Sequence, residues 1–365
     1  MTFMLFVFWV ALSLGLSAIL ILIQFPIRRR AGVLVRVALL LVKILLFVFT
    51  AFISISIISK ITWNLGYLLG AVYVALGGDI LAELICIPVV LIRKNKNNLR
   101  LQTIIVFIMT IAFLVYGTVN AETVRANKLT YQSDKLKTQH TFVFFADLHY
   151  GSSQTPKVVE KAMENIKSYN PEFIVLGGDI TDELTKKDEM ESVYRLLGST
   201  GIPVFYVYGN HDRQMNADLI GGAAYTPEEL EKTIKANGIT ILQDNWAQIA
   251  DDLVLFGRED FSMSSRLPLD KLPSMPGNAF VLSVDHSPYQ YDDIANFGAD
   301  FQLSGHTHAG QFIPLQIIYN LLGFDAYGWY KHGNTDVYVS SGIAGWCFPF
   351  RTEATCNFDV VTLTP

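Results

Sequence analysis

Acidic residues are almost absent from the first third of the chain. Of the 33 aspartates and glutamates in its 365 residues, only Asp79 and Glu83 fall within residues 1–120. The rest of the chain has the mixed charge of a soluble protein, although 51% of the whole chain is hydrophobic. Because this length exceeds one ordinary domain, the change in composition predicts a domain boundary near Ala121.

Cysteines and clustered basic residues are also scarce. The chain has three cysteines and no Cys-x-x-Cys pattern, which argues against a zinc knuckle. Cys347 and Cys356 are close enough in sequence to form a disulfide, and two unrelated thiols are the alternative. The formal net charge is -5 and no long basic stripe is present. Both observations argue against nucleic acid as a partner.

Four apolar segments precede the predicted boundary, and each has the roughly 20 residues that a membrane span requires. They are residues 2–25, Val33–Ser59, Ile61–Ile92 and Leu101–Asn120. The first segment lacks the positively charged start of a cleavable signal peptide, which favours a retained helix. We therefore expect an α-helical transmembrane anchor of four helices over residues 1–120 and a separate soluble domain over residues 121–365.

Basic residues predict how this anchor is oriented. Arg28, Arg29 and Arg30 lie between the first two segments, with Arg36 at the start of the second. Arg93, Lys94, Lys96 and Arg100 lie between the last two, and only Lys60 lies between the middle two. The positive-inside rule places both basic loops in the cytoplasm. The protein is then a multi-pass protein of the cell membrane whose termini and soluble domain are extracytoplasmic.

Three charged residues lie in the interior of the predicted spans. Asp79 and Glu83 are one helical turn apart on the same helix face, and Lys43 lies in the preceding segment. Charges inside a membrane are costly and often mark an ion or substrate pathway. The simpler interpretation, which we favour, is a lysine–carboxylate pair that holds the helices together.

The soluble part alternates predicted strands with predicted helices. The strands are Thr141–Ala146, Phe173–Leu176, Val204–Tyr208, Leu253–Phe256, Phe280–Val284, Phe301–Ser304, Val337–Ser340 and Phe358–Leu363. Helices are expected to begin at Thr155-Pro156 and at the capping box of Thr226, and a third covers Lys187–Leu197. This alternation predicts a layered α/β domain with mixed or parallel strand pairing.

Side chains of the types that commonly bind metal ions follow five of these predicted strands. They are Asp147, His149, Asp179, Asn210, His286, His306 and His308. Ligands bind beyond the carboxyl ends of strands in such sheets. Carboxylates, an amide and imidazoles without a thiolate suit Mn, Fe or Zn. Seven ligands are too many for one tetrahedral ion, whereas two ions about 3.5–4 Å apart are the usual device for displacement at phosphorus.

The motifs in which these residues occur resemble those of the calcineurin-like metallophosphoesterases. Asp-x-His149, Gly-Asp179-x-x-Asp, Gly-Asn-His211-Asp, the lone His286 and Gly-His-x-His308 follow one another in the family's order, over about residues 140–365. The sequence Gly-His-Thr-His-Ala-Gly-Gln, with Val-Ser-Ser-Gly342 after it, is most similar to the membrane-associated bacterial phosphodiesterase branch. The resemblance implies central β-sheets flanked by helices and hydrolysis of a phosphodiester substrate.

The resemblance also implies a role for each residue. Asp147, His149, Asp179 and His308 would hold one divalent ion, while Asp179, Asn210, His286 and His306 would hold the other, with Asp179 as the bridge. His211 would contact the phosphate and protonate the leaving oxygen as the general acid. Asp212 would orient the His211 imidazole. A phosphomonoesterase is one alternative, and a membrane sensor or transporter that binds a phosphorylated ligand without turnover is another.

Some residues have two interpretations. The apolar segment Phe312–Tyr330 is either core with a short helix, or a lip that dips into membrane lipid and suits an amphiphilic phosphodiester. Arg258 and Asp260 would border the pocket or lie on the surface, and Arg351 would bind phosphate or form a surface ion pair. Asp182 is expected to brace its loop. His140 and His332 belong to no motif and are expected in solvent.

Overall fold

The computed structural model describes residues 3–30, 33–58, 63–93, 99–346 and 350–365. In the first 122 residues, side chains are described at positions 11–24, 35–51, 68–85 and 101–122. Lys60, Lys94, Lys96 and Cys347 lie outside the described residues, so what the sequence predicts for them stays a prediction. Cys356 is a buried free thiol.

The described part of the N-terminal third forms four long helices. They are α1 (Phe3–Arg30), α2 (Val33–Ile58), α3 (Trp63–Arg93) and α4 (Leu99–Glu122). Two stretches, Leu68–Ile85 of α3 and Leu101–Glu122 of α4, are long and apolar enough to cross a membrane. Helix α1 contains a shorter apolar stretch, Ala11–Gln24. Among the described side chains, two of the four predicted spans therefore meet this requirement.

The charged residues of these helices form a buried cluster. Lys43 Nζ of α2 lies 2.7 Å from Asp79 Oδ2 and 2.6 Å from Glu83 Oε2, both on α3. Gln24 Nε2 of α1 donates to the same Asp79 oxygen at 3.1 Å. Lys43 and Asp79 are almost fully buried. Because the cluster links three helices, it favours the interpretation of a pair that holds the bundle together.

The chain forms two compact units. One contains Met1–Val119 with the later segment Phe312–Leu315, and the other contains Asn120–Gln311 with Gln316–Pro365. Within the first unit, the Tyr73 hydroxyl donates to the Ile313 carbonyl at 3.0 Å, and its ring centroid lies 5.1 Å from that of Phe312. The predicted boundary after residue 120 did not include this return of the chain, because an apolar segment looks like core in either unit.

Two six-stranded sheets make up the described strands of the second unit. The first has the order β1-β12-β2-β3-β4-β5, and the second has the order β10-β11-β9-β8-β7-β6. The first sheet contains β1 (Val124–Gln132), β2 (His140–Phe145), β3 (Ile174–Leu176), β4 (Val204–Tyr206), β5 (Thr240–Ile241) and β12 (Cys356–Thr364). The second contains β6 (Asn245–Ala250), β7 (Leu253–Gly257), β8 (Phe280–Val284), β9 (Phe301–Ser304), β10 (Gly328–His332) and β11 (Thr335–Val339). Strands β2 to β5 are parallel, as are β7, β8, β9 and β11, while β10 and β6 pair antiparallel. Strand β12 pairs antiparallel with β2 and parallel with β1.

Helices cover the outer faces of both sheets, and the reason is the alternation of side chains along the strands. Phe142 and Phe144 of β2 point into one apolar cluster with Leu282 of β8, between the sheets. Val143 and Phe145 point the other way, into a cluster with α5 (Pro156–Ser168), α6 (Lys187–Gly198) and α7 (Pro227–Ala236). Residues of α8 (Tyr291–Phe297) pack on the outer face of the second sheet. Each buried phenylalanine contributes about 1.5–3 kcal/mol.

The layered α/β domain with mixed strands is therefore confirmed. The capping box is confirmed too, because Thr226 Oγ1 accepts from Glu229 N at 3.2 Å and Glu229 Oε2 accepts from Thr226 N at 3.0 Å. The segment predicted as a linker or edge strand is the edge strand β1, which pairs parallel with β12. Strands β5, β6 and β10 and helix α8 were not predicted, since they are short and partly exposed.

Candidate metal centre

The seven predicted metal ligands lie on loops at the carboxyl ends of five strands. Asp147 and His149 follow β2, Asp179 follows β3, Asn210 follows β4, His286 follows β8, and His306 and His308 follow β9. Within each sheet these strands are parallel, so their carboxyl ends lie at one edge. The structure brings all seven side chains together at that edge.

Six of the seven side chains form two groups that could each hold a metal ion. One group is Asp147, His149 and His308, and the other is Asp179, His286 and His306. Within each group, one candidate ligand atom per residue lies within 4.8 Å of the others. The predicted division of ligands between two ions contains these two groups.

Asp179 and Asn210 complete the arrangement. Asp179 Oδ2 lies 3.1 Å from His286 Nε2 of its own group and 3.9 Å from His149 Nε2 of the other group. The carboxylate therefore lies between the two groups, where a bridging ligand is needed. Asn210 Oδ1 lies 2.9 Å from His306 Nδ1, which places the amide oxygen beside the second group.

Three histidines are oriented by hydrogen bonds from the ring nitrogen that faces away from the centre. His149 Nδ1 donates to Asp182 Oδ2 at 3.2 Å, His286 Nδ1 donates to the Gly177 carbonyl at 2.8 Å, and His308 Nδ1 donates to the Ala344 carbonyl at 3.1 Å. This arrangement fixes the tautomer and directs Nε2 inward, as in histidines that bind metals. Asp182 Oδ1 also accepts from Leu184 N at 2.9 Å, so this residue braces its loop, as predicted, and orients His149 as well.

The inward-facing nitrogens provide a test of whether metal ions fit. Among the described residues, Nε2 of His149 and Nε2 of His286 are buried without a hydrogen-bond partner. His286 Nε2 is near Asp179, but the contact does not have hydrogen-bond geometry. A buried polar atom without a partner costs about 1–3 kcal/mol, and a divalent cation would satisfy both nitrogens. The donor set of carboxylates, an amide and imidazoles therefore fits two metal ions.

The charges of the site act on one another. Burial would raise the pKa of Asp179, but the neighbouring charges of His286 and His211 outweigh burial and hold that pKa well below its usual range. Burial and the charge of His286 lower the pKa of His306 to about 4, and burial lowers that of His308. An ionised Asp179 and neutral His306 and His308 are the protonation states that metal binding requires. Burial would lower the pKa of His149 and of His286, but the carboxylates beside them raise both pKa values, so a metal ion would have to displace a proton from each of these two rings.

Residues 140–310 match a family model described as calcineurin-like phosphoesterase. These residues form a calcineurin-like metallophosphoesterase domain. The matched span contains all seven candidate ligands and His211. This match supports a metal-dependent phosphoesterase domain with a centre of two metals.

Curated relatives share this domain. An uncharacterized metallophosphoesterase of Helicobacter pylori is 29% identical over 236 residues, which cover 64% of this chain and 62% of the relative. A transmembrane protein with metallophosphoesterase domain from Danio rerio is 26% identical over 288 residues, which cover 72% of this chain and 62% of the relative. The uncharacterized metallophosphoesterase Cj0846 of Campylobacter jejuni is 25% identical over 280 residues, which cover 74% of this chain and 72% of the relative. The chain thus spans about 62% of the length of the Helicobacter pylori and Danio rerio relatives.

His211 lies beside the metal centre of the metallophosphoesterase domain, and Glu183 orients it. His211 Nδ1 donates to Glu183 Oε2 at 2.7 Å, and its backbone N–H donates to Asp179 Oδ1 at 2.9 Å. The indole of Trp346 stacks on the imidazole, with ring centroids 5.2 Å apart. Burial would lower the pKa of His211, but the Asp179 charge and the Glu183 hydrogen bond raise it to about 9.

Asp212 does not have the predicted role of orienting His211. Its buried carboxylate accepts hydrogen bonds from the backbone N–H groups of Asp179, Ile180, Thr181 and Gly209, at 2.7–3.0 Å. Asp212 therefore holds the loop that carries Asp179, and the prediction for its side chain is corrected. Glu183 was missed because the sequence gives it no motif position, and Trp346 was missed because its contact with His211 joins distant segments.

For three other charged residues, burial excludes the surface interpretation. Arg258 and Asp260 are buried, so neither is a surface charge, and Arg258 pairs with Asp244. Arg351 is fully buried and forms no surface ion pair. It donates to the carbonyls of His308 and Ser341 at 2.6 Å each, and to that of Ala344 at 3.1 Å. Its contacts brace the loop of His308.

Neither histidine without a motif lies free in solvent. His140 is buried, with Nδ1 2.9 Å from Glu172 Oε2 and Nε2 3.1 Å from Asp252 Oδ1. His332 is half-buried, and its Nε2 lies 2.6 Å from Asp325 Oδ2. The expectation of solvated histidines was therefore wrong, because strand pairing and loop packing bring distant carboxylates to both rings.

Proposed function

We propose that this protein is a membrane-anchored phosphodiesterase with two divalent metal ions, Mn, Fe or Zn. The observation that carries the proposal is the convergence of the seven ligands, with Asp179 between two groups and His211 beside them. Asp147, His149 and His308 would hold one ion, Asn210, His286 and His306 the other, and Asp179 would bridge them. When bound, the ions supply hydroxide at neutral pH and neutralise charge on the phosphoryl oxygens.

The residues around the ligands then position the substrate and move one proton. The Glu183 carboxylate holds the His211 ring through Nδ1, which leaves Nε2 to donate. A protonated His211 contacts a phosphoryl oxygen and gives its proton to the leaving oxygen. Trp346, stacked on the same ring, limits its rotation and keeps bulk water from that face.

The environment of the arginines favours a diester over a monoester. Arg213 pairs with Glu259, and Arg266 pairs with Asp285, which precedes His286. Arg258 pairs with Asp244, and Arg351 donates to carbonyls. A monoester carries up to two negative charges, whereas a diester carries one. Since these four arginines already have partners, the single charge of a diester suits the site better.

The anchor is the second part of the proposal. Leu22, Leu45 and Ile108 on α1, α2 and α4 are each more than half exposed, which suits helices that face lipid. A relative from Danio rerio is named a transmembrane protein. We propose a multi-pass anchor whose two basic loops are cytoplasmic, so that the catalytic domain is extracytoplasmic. Protease protection of tags at both termini tests this topology, and cytoplasmic tags would refute it.

An amphiphilic substrate is the third part of the proposal. Ile317, Leu321, Leu322 and Phe324, on and after helix α9 (Leu315–Leu321), are all more than half exposed. Their segment follows the ligand loop directly and begins within Phe312–Leu315, which belongs to the helical unit. Such a lip would dip into membrane lipid and take a lipid head group or a lipid-linked precursor. Replacing Leu321, Leu322 and Phe324 with Ser should reduce turnover of lipid diesters in vesicles but not of a soluble diester. If the substitutions change turnover of the two substrates by the same factor, or change neither, the proposed contact with lipid is refuted.

The test of the chemistry uses the full chain purified in detergent without added metal. We would measure bound metal by mass spectrometry, and hydrolysis of bis(p-nitrophenyl) phosphate and p-nitrophenyl phosphate with Mn²⁺ or with chelator. We expect diester cleavage that requires metal and is lost in Asp179→Asn, while Asp270→Asn, at an exposed carboxylate, leaves it unchanged. Preferential monoester cleavage would indicate a phosphomonoesterase, and bound metal without cleavage of either ester would indicate a sensor or transporter.

A further inference from the structure

Two aromatic side chains next to the metal centre are exposed. The Phe261 side chain is 46% exposed and that of Tyr289 is 39% exposed. Their ring centroids lie 5.3 Å apart, and the Tyr289 ring lies 6.0 Å from the imidazole of His306 in an edge-to-face arrangement. An apolar surface therefore begins directly at a ligand of the second group, beside a centre whose ligands are all charged or polar side chains.

A buried carboxylate fixes this aromatic pair in place. Asp260 is fully buried and precedes Phe261 in the chain. Its Oδ1 accepts from the Ser262 N–H at 2.9 Å and its Oδ2 accepts from the Ser287 hydroxyl at 2.9 Å. Since Ser287 lies between His286 and Tyr289, Asp260 joins the loop of Phe261 to the loop of Tyr289. The two exposed rings thus have a built support rather than the freedom of ordinary surface residues.

The two ends of the site differ in their aromatic neighbours. Trp346 stacks on His211, the residue that the proposed function places at the leaving oxygen. Tyr289 lies beside His306 instead. A phosphodiester has one substituent that leaves and one that stays on phosphorus, so an aromatic neighbour is available for each.

We propose that Phe261 and Tyr289 form an aromatic shelf that binds the apolar substituent retained on phosphorus, and so determine which diesters are cleaved. This inference rests on the proposed phosphodiesterase function. The shelf contacts substrate and takes no part in proton transfer or metal binding. A ring that stacks on it gains favourable contact in both the bound substrate and the transition state, which lowers KM and leaves kcat unchanged.

The experiment compares substrates that share one leaving group. Phenyl p-nitrophenyl phosphate, n-hexyl p-nitrophenyl phosphate and methyl p-nitrophenyl phosphate all release p-nitrophenolate, and differ only in the retained substituent. In Phe261→Ser and Tyr289→Ser of the full chain in detergent, we expect KM for the phenyl diester to rise about 2- to 12-fold, the range of aromatic pair energies, with kcat unchanged. The methyl diester should be hydrolysed as by the native protein. A rise for the hexyl diester as well would show that the shelf accepts any apolar group.

A matched control variant separates this inference from other effects of a substitution. Leu267→Ser removes an apolar side chain with the same 39% exposure, from the loop that carries Phe261, and should change none of the three KM values. Equal KM changes for the phenyl and methyl diesters, or no change for either, would overturn the shelf while leaving the phosphodiesterase function intact. If the native protein cleaves none of the diesters, the proposed function fails, and the shelf proposal fails with it.

Discussion

Replacing Glu183 with Gln should slow the step in which His211 protonates the leaving oxygen. The carboxylate accepts the Nδ1 proton of His211 at 2.7 Å, and the two side chains are only 12% and 14% exposed. A hydrogen bond between charged groups in such surroundings contributes about 1.5–3 kcal/mol. At 1.36 kcal/mol for each tenfold change in rate, loss of the charge should lower kcat by about 10- to 150-fold wherever His211 must donate its proton.

The leaving group decides whether that proton is needed. p-Nitrophenolate leaves readily without protonation, whereas an alkoxide does not. In Glu183→Gln we therefore expect the full loss of kcat on an alkyl diester, measured from the released alcohol, and a much smaller loss on methyl p-nitrophenyl phosphate. Bound metal should be unchanged, because Glu183 contacts His211 and is not among the candidate ligands. Glu231→Gln, at an exposed ion pair with Lys235, is the matched control.

Three results would refute this reasoning. An equal loss on both substrates would mean that Glu183 acts on metal-activated water or on folding instead of on the general acid. Loss of bound metal would mean that the carboxylate supports the ligands. Full activity on the alkyl diester would show that His211 does not need Glu183.

Three further predictions concern residues that support the site or the fold. Asp212→Asn should replace one of the two acceptor oxygens with an NH2 group, so that two of the four backbone N–H groups lose their acceptor. Each one left unpaired costs about 1–3 kcal/mol, so Tm should fall measurably in a thermal melt, in contrast to Glu183→Gln. Arg351→Lys should weaken metal binding by about 10- to 100-fold in a metal titration, because lysine lacks the planar fork that holds the His308 loop. Burial would lower the pKa of His140 in the folded protein, but the hydrogen bonds to Glu172 and Asp252 outweigh burial and raise it. The stabilisation that these contacts provide is therefore complete below the unfolded pKa of about 6.5, and it is lost as pH rises through the folded pKa. His140→Gln should lower Tm by about 2–4 °C at pH 6 and by less at pH 9, and an equal loss at both would contradict this linkage.

Local sequence predicted the strands that carry the ligands better than the strands at the sheet edges. Strands β8 and β9 begin and end where the apolar runs do, because both of their faces are buried. Strand β6 is half-exposed, and its pairing partner is decided by tertiary packing. Short, partly exposed strands give little periodicity, so their existence could not be inferred from the pattern.

The ligands themselves were predictable because each motif is contiguous in sequence, whereas their supports were not. Asp182 lies within a motif and was expected to brace its loop. Glu183, Trp346 and Arg351 act across 28, 135 and 43 positions, on His211 and on His308. Contacts over such separations depend on how the loops fold over the strand ends, and no local spacing encodes that.

The backbone explains why the supports are so extensive. Asp147, His149, Asp179, His306 and His308 all have positive φ, between 45° and 72°, a region that non-glycine residues seldom occupy. Each such residue costs about 1–3 kcal/mol and persists only where its surroundings enforce it. The carboxylate that binds the N–H groups of the Asp179 loop and the guanidinium that binds the carbonyls of the His308 loop provide that enforcement. Both groups act on the backbone and not on the metals. The motif alone therefore predicted a catalytic role for Asp212, whereas its contacts show that it holds a strained loop in place.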